Sequence, residues 1–263
     1  MKKIFALTAL TLLTLATAQA QPQPQPHRGG STGGPHFGAA LAKLFGDNQT
    51  FTAQMEFETA DPSSPASGHT MTVPGKMSFD TGKSRFEMNL SDIKGSKMPP
   101  EAAAQMKAMG MDTMVTISRP DKKTAYIIYT GMQSYVETPL TDATDTATAD
   151  DFKTEITELG KETVDGHDCV KNKVVVSDKD GNKHESTVWD ATDLKKFPVK
   201  IESTEQGRKT VMTFKNVTFS KPDAGNFEIP AGFTKYATPQ EMVQAVMMKQ
   251  MGGNGMMGRP PGQ

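Results

Sequence analysis

From Phe51 onward the chain alternates apolar and polar residues with a period of two. Phe51, Ala53, Met55 and Phe57 alternate with Thr52, Gln54, Glu56 and Glu58; Phe86, Met88 and Leu90 alternate with Arg85, Glu87 and Asn89. Successive side chains of a strand point to opposite faces, so each run predicts a strand with one face buried. Residues 71–79 predict another, interrupted at Pro74-Gly75, where proline lacks a donor and a bulge or an edge is expected. Asp80-Thr81-Gly82-Lys83 is turn chemistry and joins residues 77–90 into a hairpin. Strands continue at 111–118, 124–130 and 132–138, linked by tight turns at Arg119-Pro120-Asp121 and Gly131.

A Thr/Asp/Ala run at 141–150 divides the pattern. It is either a domain boundary or a long loop within one sheet. Beyond it come strands at 154–163, 169–177, 184–189, 199–205 and 210–219, with turns at Asp165-Gly166, Asp178–Asn182 and Gln206-Gly207. Residues 192–197 predict one helical turn, stopped by Pro198.

Three segments read as short helices. Residues 37–45, ended by Gly46, carry an apolar stripe of Phe37, Leu41, Leu44 and Phe45. A second opens at Pro99-Pro100 and ends at Gly110, with Ala102, Met106 and Met109 on one side. The third spans 239–251. Thr238, Pro239 and Glu241 supply its cap, its first position and the reciprocal carboxylate of a capping box. About ten strands and three short helices predict a mainly β, α+β domain: an antiparallel sheet covered on one side by helices.

The beginning of the chain sets its compartment. Lys2-Lys3, an apolar run from Ile4 to Ala16 and the small-x-small triplet Ala18-Gln19-Ala20 form a secretory signal peptide, cleaved after Ala20. The run is too short to anchor in a bilayer. No cysteine follows the cut, which closes the lipoprotein route. A periplasmic or secreted protein without a transmembrane anchor is expected. Residues 21–36, rich in Pro, Gln and Gly, read as a flexible tether, and 252–263 as a disordered Gly/Met tail.

Cleavage leaves 243 of the 263 residues, with 27 basic side chains against 30 acidic ones. That balance argues against a nucleic-acid partner. Cys169 is the single cysteine, so no internal disulfide is expected; it reads as a small buried side chain. Asp178-Lys-Asp-Gly-Asn182 starts like a calcium loop, but Lys183 and Trp189 stand where the bend glycine and the closing glutamate belong. Gly82-Lys83-Ser84 lacks the upstream glycine of a phosphate loop, since Met77 occupies that place. The five histidines have no metal-ligand spacing. With no activated nucleophile, no acid–base pair and no cofactor motif, an enzyme is not expected.

Methionine is the anomaly. After cleavage the chain has 17 Met and 6 Leu. Thioether side chains are flexible and polarizable, and they adapt to irregular apolar space. The apolar residues expected to line a ligand are Phe57, Met77, Phe86, Met88, Met106, Met109, Met114, Trp189, Met242 and Val246. Thioethers also favour Cu(I). Met106, Met109 and Met111, with Met247, Met248 and Met251, are the candidate ligands for that alternative.

Residues 155–236 carry an ordered set of motifs. They are Leu159-Gly-Lys-Glu-Thr-Val-Asp-Gly166, Cys169, Trp189-Asp-Ala-Thr-Asp-Leu194, Phe197-Pro-Val-Lys200, Phe214-Lys-Asn-Val217 and Phe227-Glu-Ile-Pro-Ala-Gly-Phe233. This block is similar to a bacterial exported family known as a domain of unknown function. That family in turn resembles the outer-membrane lipoprotein carriers of the LolA/LolB type. The resemblance implies one curved antiparallel half-barrel over residues 37–251, with short helices on its concave face and Trp189 and Phe227 filling it. It also implies a lipid or lipoprotein partner. Three roles stay open: a carrier of lipid, acyl chain or another apolar partner; a Cu(I)-binding protein; and a module that docks envelope proteins. The oligomeric state is not readable from the residues.

Overall fold

The computed structural model describes residues 38–60, 70–96, 98–140, 151–205 and 207–253. The expected signal peptide, the tether, the run at 141–150 and the end of the tail lie outside the described residues.

Twelve strands form one open sheet: β1 (Thr50–Ala60), β2 (Thr70–Asp80), β3 (Lys83–Asn89), β4 (Thr113–Arg119), β5 (Thr124–Tyr129), β6 (Ser134–Pro139), β7 (Lys153–Val164), β8 (His167–Ser177), β9 (Lys183–Ala191), β10 (Phe197–Glu205), β11 (Arg208–Thr218) and β12 (Thr234–Tyr236). Their order is β12-β6-β5-β4-β3-β2-β1-β11-β10-β9-β8-β7. Two meanders spread from β1, one running forward to β6 and the other returning from β7 to β11. β6 and β7, the strands on either side of residues 141–150, belong to the same sheet. All pairs are antiparallel except β12 beside β6. The sheet is curved: Phe86, Met88 and Met114 of one wing share a core cluster with Val174, Val176 and Val188 of the other.

Local chemistry explains the turns. Thr81 and Gly82 between β2 and β3 both have positive φ (48° and 84°), as a two-residue hairpin requires. The expected interruption at Pro74-Gly75 does not occur. Pro74 pairs with Glu56 and Gly75 with Met55 in an unbroken β1–β2 ladder. The β2–β3 ladder starts at the Gly75–Met88 pair, so the donor that Pro74 lacks is not called upon there. Residues 192–197 form a turn and no helix, since Lys195 and Lys196 both hold positive φ.

Among the described residues three α-helices accompany the sheet: α1 (Ala39–Lys43), α2 (Pro100–Ala108) and α3 (Pro239–Gly253). Just beyond α1, Phe45 meets Phe51, Phe79, Phe197 and Phe214 with ring centroids 4.8–5.8 Å apart. This aromatic plug closes one end of the inner face. No residue of α2 is buried. The loop after it is fixed by backbone contact between Gly110 and Gly131, where a Cβ on either would stand 2.6–2.7 Å from the other's backbone. α3 opens with the expected box: the Glu241 amide donates to Thr238 Oγ1, and Glu241 Oε2 accepts from the Ala237 amide, both at 3.1 Å.

The segment after β11 crosses the outer face. Phe227 is buried there against Val115, Ile117 and Ile128, with Tyr126, Tyr135, Ile229 and Phe233 around it. Arg119 fastens this strap. Its guanidinium grips Asp121 through two hydrogen bonds of 2.7–2.8 Å, donates to the Phe227 carbonyl at 3.0 Å and pairs with Glu228.

Candidate functional site

The site is built from strand register. Directly opposed residues on antiparallel strands share a face, so each pairing extends a row across the sheet. One inner-face row reads Phe214, Met55, Gly75, Met88, Met114, Tyr129. The next, toward the aromatic plug, reads Ala53, Met77, Phe86, Thr116, Ile127, Val136. On the other side runs Val188, Ile201, Met212, Phe57, Val73. Three thioethers thus stand almost side by side, with Met77 and Met212 in the flanking rows. Gly75 leaves the room that the Phe86 ring occupies.

Five of the expected lining residues meet on this wall: Phe57, Met77, Phe86, Met88 and Met114. Four of them are buried, the exception being Phe57, which is half-buried with Ile127 and Tyr129 at the margin. Burial pushes the Tyr129 hydroxyl above the ordinary tyrosine range. Met55, Met212 and Phe214 belong to the same wall, a membership the alternation of residues 51–57 and 210–214 already encodes.

The other five lie elsewhere. Trp189 opposes Lys171 and Lys200, so it faces away from its neighbour Val188, which opposes Ile201 on the inner wall. Both ammonium groups sit over its ring, at 4.9 and 4.3 Å, and its indole N–H donates to Glu162 at 2.9 Å. Phe227, also expected on the concave face, fills the outer strap instead. The cause in both cases is parity: one residue of offset along a strand, or a segment beyond its end, exchanges the face. Met106 and Met109 are half-buried on and after α2, while Met242 and Val246 lie on α3, near the β6 and β12 edge.

The methionines considered for copper fall on separate elements. Met106, Met109 and Met111 lie at the end of α2, and Met247 and Met248 are exposed on α3; the Met251 side chain is outside the described ones. Among the described residues no three His, Cys, Asp or Glu are grouped as metal ligands. Cys169 is buried, and burial raises its thiol pKa, so it is a poor nucleophile at neutral pH. His167 Nδ1 contacts Asp193 at 2.8 Å near the surface. No described helix is long and apolar enough to cross a membrane.

A hollow of about 330 Å³ opens on the outer face over β1, β2 and β3. Gln54, Glu56, Lys76, Glu87, Asn89 and Lys215 line it, and Glu56 is paired with Lys215 at 3.3 Å. Asp92 adds a third carboxylate against the two lysines, Met55, Pro74 and Met88 contribute apolar surface, and no motif in the sequence marks it.

Residues 71–196 match a family described as a domain of unknown function, DUF4412. This span shares 155–196 with the block of motifs and extends back to β2. No curated protein matches the chain in sequence. Among solved structures, it is similar to a LolA superfamily protein from Nitrosomonas europaea, with 11% identity and a TM-score of 0.35 over 73% of this chain and 98% of that one. It is also similar to lipoprotein LppX of Mycobacterium tuberculosis, with 9% identity and a TM-score of 0.38 over 68% and 93%. LprF from Mycobacterium bovis gives 13% identity and a TM-score of 0.37 over 70% and 95%.

Proposed function

We propose that this chain is an exported, non-enzymatic binding protein of the cell envelope that takes up a lipid, an acyl chain or another apolar partner against the inner face of its sheet. The observation that carries the reading is the thioether wall: Met55, Met88 and Met114 in one row, with Met77 and Met212 beside it. A wall designed for rigidity would use Leu, Ile and Val, whose rotamers are fewer and fixed. Unbranched thioethers repack around a guest with little strain. The inner face is closed by its own side chains, so entry requires these methionines to change rotamer. The signal peptide and the similarity to LolA-type, LppX and LprF proteins agree with an envelope location for such a carrier.

The test is titration of the chain lacking residues 1–20 with a fluorescent fatty acid. Saturable uptake at micromolar protein is expected. Replacing Met55, Met77, Met88 and Met114 together by Leu keeps the core apolar and of similar size, and should weaken uptake while the fold persists. No uptake by a folded protein would refute the reading.

A further inference from the structure

The inner face changes polarity along the strands. At one end the aromatic plug around Phe45 closes it. Toward the opposite end, where the β8–β9 and β10–β11 turns lie, the row beyond Met212 and Phe57 carries hydroxyls on four strands, with Val174 and Met71 at its two ends. Ser186, Ser203, Thr210 and Thr59 oppose one another in that order across four adjacent strands. Ser186 Oγ and Ser203 Oγ are hydrogen-bonded at 2.8 Å. Ser203, Thr210 and Thr59 are half-buried, so they remain reachable from solvent. One step further out, in the same register and on the same face, stands the exposed Arg208. Its direct cross-strand partner in that register is Glu205, whose side chain lies outside the described ones.

From the plug row at Phe51 to the hydroxyl row at Thr59 is eight residues of strand, about 27 Å. Along that length the wall passes from phenyl to thioether to hydroxyl, and ends at the cross-strand neighbours Arg208 and Glu205. Four hydroxyls in one cross-strand row contribute nothing to an apolar core, and burying them without partners is costly. They suit the head of a molecule whose tail lies on the methionines.

We infer that the inner face is an amphiphile site, in which Ser203, Thr210 and Thr59 with Arg208 hold the anionic oxygen head of a single-chain lipid while its tail packs on Met212, Phe57 and Met55. This rests on the apolar-ligand reading above and names the ligand class for it: a carboxylate or a phosphate monoester on one acyl chain. Hydroxyl donors and a guanidinium serve both heads through charge-assisted hydrogen bonds.

The experiment compares charged and neutral ligands that share a tail. A fluorescent fatty acid is titrated against its methyl ester, and a lysophosphatidic acid against the corresponding monoacylglycerol by competition. The wild type is expected to prefer at least one anion over its neutral partner by about tenfold, the size of a single charge-assisted hydrogen bond. The pair showing the preference identifies the head as carboxylate or phosphate. Thr210→Val with Arg208→Gln should bring that preference near unity. Far-ultraviolet circular dichroism checks the fold; if the double variant does not fold, Arg208→Gln alone, at an exposed position, must lower the preference severalfold. Equal affinity for charged and neutral ligands in the wild type, or a preference untouched by the variants, overturns the inference and leaves the apolar-ligand reading standing. Absence of binding by all four ligands overturns that reading as well.

Discussion

Gly75 lies against the ring of Phe86, so close that a methyl group on its Cα would stand 2.5 Å from Cε2 and Cζ and 2.5 Å from the Glu87 carbonyl oxygen. The backbone there needs no left-handed conformation, so the demand for glycine is purely one of space. Gly75→Ala should cost about 1–3 kcal/mol, the usual penalty for overpacking a filled core. Urea unfolding at equilibrium would read it. Adding Phe86→Leu to the same chain should return part of the loss, because the two side chains compete for one volume.

The outer strap should fail in acid before the sheet does. Lys122 and Arg119 hold the Glu228 carboxyl below the usual carboxylate range, and Arg119 does the same for Asp121. Depressed folded-state values mean stability that is complete above the ordinary carboxylate pKa, about 4, and is lost as pH falls through the lower folded values. Arg119→Met should flatten that acid slope. At neutral pH it should also cost about 1–3 kcal/mol, since the Phe227 carbonyl loses its donor inside the strap. Thermal unfolding of both proteins between pH 3 and pH 7 gives the comparison.

Asp190 should behave in the opposite sense. Burial raises its pKa despite the 2.7 Å hydrogen bond from Asn172. A raised folded-state value adds stability below the unfolded pKa and withdraws it as pH rises through the folded one. Asp190→Asn keeps an acceptor for Asn172 and removes the charge. The variant should melt higher than the wild type at pH 8 and nearly with it at pH 4.

Trp189, the chain's single tryptophan, reports on the wrong side of the sheet for a guest on the methionines. The ammonium groups of Lys171 and Lys200 both lie over its ring on the outer face. A brominated acyl chain bound to the inner wall should therefore leave its emission nearly unquenched, whereas Lys200→Ala should shift that emission to the red by admitting water. Strong quenching on binding would place the guest on the outer face.

Alternation made most of the sheet legible. The run 51–57 foretold both β1 and the face that Met55 and Phe57 share, and Asp80–Lys83 foretold the first hairpin. β12 was not legible, because three residues pairing in parallel with β6 carry no period. Pro74-Gly75 misled, since a strand tolerates proline where the neighbouring ladder has not yet begun. For the site, composition announced the thioethers, and register alone could assemble them. The resemblance implies Trp189 and Phe227 on the inner wall, and a motif of bulky apolar residues does not encode a face. The hydroxyl row and Arg208 left no trace in the sequence, as four Ser and Thr from separate strands become neighbours only through pairing.

β1 is the keystone of this arrangement, bonded on one edge to a strand that follows it at once and on the other to β11, so that Met55 meets Phe214 across most of the domain's length. Neither wing can finish its inner surface before the late strand emerges. Such distant closure favours slow folding. Residues 71–196 on their own would hold β2 to β9 with the central seam missing.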